Sequence, residues 1–294
     1  MKIDPKPKFR NINFAYLKDR HFEILLGIAF LYSLGVLYLQ NPETDVTLCA
    51  KQKNAFPCYE AHLIKTVRKE NPEAAFNTLK ALASHDWPIM AGYCHQLTHV
   101  IGRAAAAKYE TFSETNRHYD SFCNSGYYHG MVEGLVGSMD RETFLSSVNK
   151  LCSSVPGKER KSFDYFSCIH GVGHGTTILT YYNLPNALSY CDALEGAWEQ
   201  TNCYNGTFME NLIADAEAHP DRWVKPDDLI YPCNAVEEKY RTECYNRQPF
   251  RFLQHTNSNF KKTFEMCSKL EEPYRRTCYE GIGREAYGQK YNSI

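Results

Sequence analysis

Twelve cysteines constrain this chain of 294 residues more than any other feature, because all of them lie beyond residue 48. Ten of them form five local pairs along the sequence: Cys49 with Cys58, Cys152 with Cys168, Cys191 with Cys203, Cys233 with Cys244, and Cys267 with Cys278. Spacing alone does not fix disulfide connectivity. Cys94 and Cys123 remain, and we expect them to form a sixth disulfide. Paired cysteines persist in oxidising compartments, so this pattern predicts an exported domain.

The cysteines also mark an internal repeat, in which a cysteine is followed by aromatic residues, glycine or histidine. The strong copies are CNSGYYHG at Cys123, CIHGVGHG at Cys168, CYNGTFMEN at Cys203 and CYEGIGRE at Cys278. The units begin about 29 to 45 residues apart, a spacing in the range of stacked helical hairpins. No segment sustains the alternation of a strand. The sequence therefore predicts an all-α fold of disulfide-stapled helical-hairpin repeats, arranged as a solenoid or toroid, in one domain over residues 41–294.

An apolar segment near the N-terminus predicts a membrane anchor. Residues 24–39 carry no charge, basic residues precede them, and Glu43 and Asp45 follow. This charge bias places the N-terminus in the cytoplasm. We expect a cytoplasmic tail at 1–21, a transmembrane signal-anchor helix at 22–40 in contact with membrane lipid, and a periplasmic, luminal or extracellular domain behind it. A cleaved signal peptide is the alternative, but small residues suited to cleavage are missing after Leu39.

The charge balance excludes one class of partner. The net charge is -1, with 33 basic and 34 acidic residues. Such a chain has no strong positive field with which to hold a phosphate backbone, so we expect no nucleic-acid partner. Its substrate or protein partner is left open by the sequence.

Metal-capable side chains recur within the repeat at a spacing of four residues. The candidates are His95 and His99, His129 and Glu133, His170 and His174, and Glu210 in the next copy. Residues four apart lie on the same face of an α-helix, where two side chains can share one ion. Paired thiols cannot serve as ligands, which leaves imidazole and carboxylate.

These residue types predict a bound divalent or redox metal ion. We expect the five histidines to be the ligands, and Glu133 and Glu210 to act as further ligands or as the general base that deprotonates a metal-bound water. Imidazole suits iron, copper and zinc, so the identity of the metal stays open. Neither histidine pair encloses the glutamate of a zinc-protease helix, which disfavours that class of enzyme.

Glycines accompany the histidines at the same helical spacing, as in Gly126, Gly130 and Gly134, and in Gly171 and Gly175. Each glycine in a helix interior costs about 1 kcal/mol relative to alanine. The stripes therefore predict a close approach of helices or a site geometry that requires it. In the alternative, Gly173 breaks the helix and the two histidines around it lie on a loop.

Two of these runs resemble the glycine and histidine signatures of the lanthionine cyclases, which are zinc-bearing helical toroids. The runs are HGVGH, beginning at His170, and GYYHG, beginning at Gly126. They cover only a few residues, and that family uses cysteine ligands and lacks paired disulfides. The resemblance implies only that Gly-His segments can line the centre of a helical toroid.

The sequence therefore predicts a membrane-anchored, extracytoplasmic metal-dependent enzyme, with oxidation slightly favoured over hydrolysis because histidines dominate the site. The alternative is a disulfide-rich helical-repeat binding or scaffold module, in which the histidines only form hydrogen bonds in tight turns. A catalytic or binding role without metal is the third interpretation.

Overall fold

The computed structural model describes residues 46–85, 87–213, 219 and 222–292. The chain divides into two units, Met1–Leu48 and Cys49–Ile294, and every cysteine and every predicted site residue belongs to the second. The predicted tail (1–21) and transmembrane helix (22–40) lie outside the described residues. Within the described ranges, no helix is both long and apolar enough to cross a membrane.

The described part of the chain is helical and contains no strand, so the all-α part of the predicted fold class is confirmed. After a short 3-10 helix at Val46–Lys51, twelve α-helices follow: α1 (Phe56–Lys69), α2 (Pro72–His85), α3 (Trp87–Tyr109), α4 (Phe112–Asn116), α5 (Phe122–Gly137), α6 (Arg141–Leu151), α7 (Phe163–Leu179), α8 (Leu184–Cys191), α9 (Ala197–Ile213), α10 (Glu238–His255), α11 (Phe260–Cys267) and α12 (Tyr274–Asn292).

Short polar side chains determine where several helices begin. Asp140, Ser162, Asn183 and Asn259 precede α6, α7, α8 and α11, and each accepts a hydrogen bond from a backbone N–H in the first turn. Such N-caps satisfy donors that have no partner within the helix and stabilise it by about 1 kcal/mol each.

The long helices follow one another in space in their chain order. Helix α3 packs on α5, α5 on α7, α7 on α9, α9 on α10, and α10 on α12, while α12 also contacts α3. Shorter helices cover this series: α1 and α2 pack on α3, α8 packs on α7 and α9, and α11 packs on α10 and α12. Helices α3, α5, α7 and α9, which carry all the predicted site residues, are therefore consecutive neighbours.

All six predicted disulfides are confirmed, with Cα–Cα distances between 5.4 and 6.0 Å. Three of them join the end of a short helix to the next long helix, as the hairpin prediction requires: Cys152–Cys168, Cys191–Cys203 and Cys267–Cys278. The Cys233–Cys244 bond differs, because Cys233 lies in irregular backbone before α10. The Cys94–Cys123 bond instead joins two long neighbours, α3 and α5.

Glycines bring the backbones of these neighbours together. A Cβ built on Gly130 of α5 would overlap the backbone carbonyl of His99 on α3, and one built on Gly206 of α9 would overlap that of His170 on α7. Gly173 faces the backbone of Cys203 in the same way. The alternative of a break at Gly173 is wrong, since α7 runs through it without interruption. Gly173 therefore allows close helix packing and does not form a turn.

Candidate metal centre

The seven residues predicted from the sequence come from four consecutive helices and meet in one cluster. They are His95 and His99 on α3, His129 and Glu133 on α5, His170 and His174 on α7, and Glu210 on α9. The predicted helical placement of each pair is confirmed. His129 is central, because its ring centroid lies 4.9 Å from that of His99 and 4.9 Å from that of His170.

His95, His99 and His129 form a first triad whose nitrogens converge. The Nε2 atoms of His95 and His99 are 3.1 Å apart, and Nδ1 of His129 is 3.1 Å from Nε2 of His99. Two nitrogens that ligate one ion at about 2.0 to 2.1 Å are about 2.8 to 3.4 Å apart in octahedral or tetrahedral geometry. The triad therefore has the spacing of a ligand set.

The outer nitrogens of this triad have their own partners. Left-handed backbone at Cys123 (φ 53°) places its carbonyl 2.9 Å from Nδ1 of His95, which donates to it. On His99, Nδ1 lies 3.5 Å from the carboxylate of Glu133. Protons held on the Nδ1 atoms leave lone pairs on both Nε2 atoms, which face each other. Histidines that ligate metals are oriented in this way by carbonyls and carboxylates.

His129, His170 and His174 form a second triad, buried on α5 and α7, with ligand atoms within 4.8 Å of one another. Nδ1 of His174 donates to Oε2 of Glu210 at 2.7 Å, and Nε2 of His170 lies 3.4 Å from Sδ of Met209.

Three nitrogens of the second triad are left without a hydrogen bond. They are Nε2 of His129, Nδ1 of His170 and Nε2 of His174, all buried and without a hydrogen-bonding partner among the described residues. Each unsatisfied buried polar atom costs about 1 to 3 kcal/mol, and native proteins contain few of them. Three in one cluster of imidazoles fit the donor set of a metal ion.

Burial keeps these imidazoles in the form that binds metal. It lowers the pKa of His99, His129 and His170 well below the ordinary value, and the neighbouring imidazoles add to the effect. Burial also lowers the pKa of His95, although its bond to the Cys123 carbonyl opposes the shift. These side chains are neutral near pH 7, so metal has little competition from protons there.

The two carboxylates hold the histidines from outside the ligand set. Glu133 accepts from Nη1 of Arg103 at 2.9 and 3.2 Å; burial raises the pKa of Glu133, and Arg103 opposes that shift. Burial favours a higher pKa for Glu210 as well, but the hydrogen bond from His174 brings it below the ordinary value. Both side chains act on imidazoles that belong to the triads.

A cavity of about 780 Å³ opens onto the first triad. Its polar lining includes His95, His99, Arg103, Glu133, Tyr182 and Glu210, and its apolar lining includes Phe56, Met209, Ile213 and Phe250. Pockets of this volume and mixed lining are typical of sites for small molecules. His95 and His99 of the first triad therefore face a binding space, whereas His129, His170 and His174 are not part of its wall.

Sequence reasoning missed three residues of this region. Met209 lies as far beyond Cys203 as His174 lies beyond Cys168, so alignment of the repeat copies was a signal that could have found it. Tyr182 donates to Glu210 at 3.3 Å from a left-handed position (φ 59°) after α7, and no motif marks it. His219 lies outside the helices, lines the cavity and stacks on Tyr182 with a centroid distance of 3.7 Å.

The chain matches no family model, and comparisons with curated proteins and with solved structures find no significant match.

Proposed function

We propose that this protein is a metal-dependent enzyme, an oxidoreductase, whose ion is held by imidazoles of the histidine cluster. The observation that carries the proposal is the set of three buried nitrogens without hydrogen bonds on His129, His170 and His174. The opposite nitrogen of each of these rings is already in contact with another side chain. The three residues can also bring one ligand atom each within 4.8 Å of one another. A metal ion is the partner that such a set lacks.

The rival interpretation, histidines that only form hydrogen bonds in tight turns, has less support. The five clustered histidines lie within helices and not in turns. Structural histidines would also have both ring nitrogens satisfied, because a buried polar atom without a partner is destabilising. In the second triad, one nitrogen of each ring has a side-chain partner and the other nitrogen has none among the described residues.

The cavity supports catalysis over metal storage. A site that only stores or stabilises with metal is closed, whereas a catalytic site has three protein ligands and an open position. The first triad supplies three imidazoles, and two of them, His95 and His99, line the cavity. A small molecule with an apolar portion would lie against Phe56, Ile213 and Phe250 while its reactive group faces the triad.

The hydrogen bonds of the carboxylates favour redox chemistry over hydrolysis. Glu133 is paired with Arg103, and Glu210 accepts from both His174 and Tyr182, so neither carboxylate is free to serve as a general base for water. A redox metal bound here supplies electron transfer. The chain from Tyr182 through Glu210 to His174 offers a path for the accompanying proton.

The proposal includes the architecture and location expected from the sequence. The return of α12 to α3 supports a toroid rather than an open solenoid. Six disulfides support an oxidising compartment. The predicted transmembrane helix at 22–40 would anchor the enzyme with its N-terminus in the cytoplasm.

Elemental analysis of the purified full-length chain tests the proposal. A variant with His95, His99, His170 and His174 changed to alanine is compared with a matched variant, His85→Gln with His255→Gln, whose two histidines are exposed and lie outside the cluster. We expect a stoichiometric transition metal in the wild type and the matched variant, and none in the cluster variant. A wild type that is folded and free of metal after growth in metal-supplemented medium would overturn the proposal.

A further inference from the structure

We propose that the centre is dinuclear and that His129 bridges its two ions through its two ring nitrogens. The inference rests on the proposed function, because it assigns the ligands of that same metal centre. One ion takes His95, His99 and Nδ1 of His129, and the second takes Nε2 of His129 with His170 and His174. The ions belong to the class of imidazole-binding divalent transition metals, such as copper and zinc.

The position of His129 between the two triads is the first support. Both groups of potential ligands contain it, and no other residue is shared. Its ring centroid lies 5.2 Å from that of His95 in the first triad and 5.9 Å from that of His174 in the second. One ring therefore belongs to both ligand sets.

The two nitrogens of this ring have different surroundings. Nδ1 lies 3.1 Å from Nε2 of His99, within the first triad. Nε2 is buried without a hydrogen bond, as are Nδ1 of His170 and Nε2 of His174 in the second triad. Because the lone pairs of an imidazole ring point away from each other, one ion cannot accept both, whereas two ions can.

The helix carrying His129 is closely held on both sides, which fixes the ring between its neighbours. Gly130 packs against the backbone of His99 on α3, and Gly171 of α7 packs against the backbone of His129 itself. Two metal–nitrogen bonds of about 2.0 Å across one ring place the ions about 6 Å apart. When both bind, the N–H proton of His129 is released to solvent, and the imidazolate charge offsets part of their charge.

The two ions would be inequivalent. The first borders the cavity through His95 and His99, whereas the second lies among residues that are at most 5% exposed. Each has its own carboxylate, Glu133 beside His99 and Glu210 beside His174. Substrate would therefore reach the first ion directly and the second only through the bridging ring.

Copper(II) titration of the full-length chain, stripped with a chelator, tests the bridge. Bound copper is counted by elemental analysis, and its unpaired spins are counted by electron paramagnetic resonance at liquid-helium temperature. We expect two coppers per chain and a total signal well below one spin per copper, because an imidazolate bridge couples the two spins antiparallel. His129→Gln removes the bridge, so its bound copper gives one full spin per ion. His99→Gln, which leaves the second triad whole, keeps one uncoupled copper.

The possible failures are distinguishable. Two coppers with full, uncoupled signals, or a single copper per chain, would overturn the bridge while leaving the proposed metal function in place. No bound copper in a folded chain would overturn both.

Discussion

Nε2 of His95 lies 3.1 Å from Nε2 of His99, while the Nδ1 atoms of the same rings face the Cys123 carbonyl and the Glu133 carboxylate. Both of these outer partners come from α5, the helix that is also joined to α3 by the Cys94–Cys123 disulfide. The orientation of the α3 histidines therefore depends on how closely α5 approaches α3. Helix packing and site chemistry are coupled at this contact.

Gly130→Ala should disrupt both stability and metal binding. The added Cβ would overlap the backbone carbonyl of His99, which cannot move without separating α3 from α5. Overpacking of this kind costs about 1 to 3 kcal/mol, and we expect the upper end of that range.

Gly283→Ala on α12 is the matched control, because its Cβ meets open space. It should increase the free energy of unfolding by up to about 1 kcal/mol. Urea unfolding without reductant measures both variants, and equal stabilities would contradict the close-packing account.

Glu210→Gln should weaken metal binding without unfolding the chain. The substitution removes the carboxylate that accepts a hydrogen bond from Nδ1 of His174 and thereby orients its ring. Loss of such an outer partner typically reduces metal affinity by about 10- to 100-fold. Zinc affinity is measured by competition with a chromophoric chelator, with Glu142→Gln on the exposed face of α6 as the control. Unchanged affinity in Glu210→Gln would show that His174 is not a ligand.

Two disulfides of similar energy should have different effects on the site. Cys94 and Cys123 are separated by 29 residues and connect the helices of the first triad, whereas Cys267 and Cys278 are separated by 11 residues and connect α11 to α12. Replacement of either pair by alanine should cost about 3 to 4 kcal/mol on the chain-entropy model. Only the Cys94–Cys123 variant should also lose zinc affinity. An equal loss in both variants would mean that the disulfide does not position His95.

Stability of the metal-free chain should fall in mild acid. The pKa values of His95, His99, His129 and His170 lie below the ordinary value because burial disfavours their charged forms. An unfolded chain binds protons at these positions as the pH drops through about 6.5, while the folded cluster does not. The free energy of unfolding should therefore be constant at higher pH and decrease below about pH 6.5. Urea titrations between pH 8 and pH 5 measure this, and the decrease should shrink in His99→Gln. A flat profile would contradict the burial of neutral imidazoles.

The parts of the fold that depend on local sequence could be predicted. Five disulfides join cysteines that are close in sequence, and Cys94–Cys123 followed because they were the two cysteines left over. The histidine pairs were found because a spacing of four residues has a direct meaning on a helix. The sequence could not decide between a continuous helix and a break at Gly173. The reason for a glycine there is the backbone of Cys203 on the neighbouring helix, which leaves no room for a Cβ.

Features that depend on tertiary contacts were beyond the sequence. Nothing in the motif around His129 shows that its ring lies between the histidine pairs of α3 and α7. That position depends on how α3, α5 and α7 are aligned along their axes when they pack. Glu133 and Glu210 were recognised as metal-capable, but their roles as partners of Arg103 and His174 follow from contacts across helices. Tyr182 reaches Glu210 from a segment that carries no motif at all.

X-ray absorption spectroscopy at the edge of the bound metal tests the central claim most directly, because it reports the ligand atoms around the ion in the full-length chain. The account predicts nitrogen neighbours at about 2.0 to 2.1 Å with the outer-shell scattering of several imidazole rings, and no sulfur near 2.3 Å. A first shell containing sulfur, or oxygen neighbours without imidazole scattering, would contradict the assignment of the histidine cluster as the metal centre.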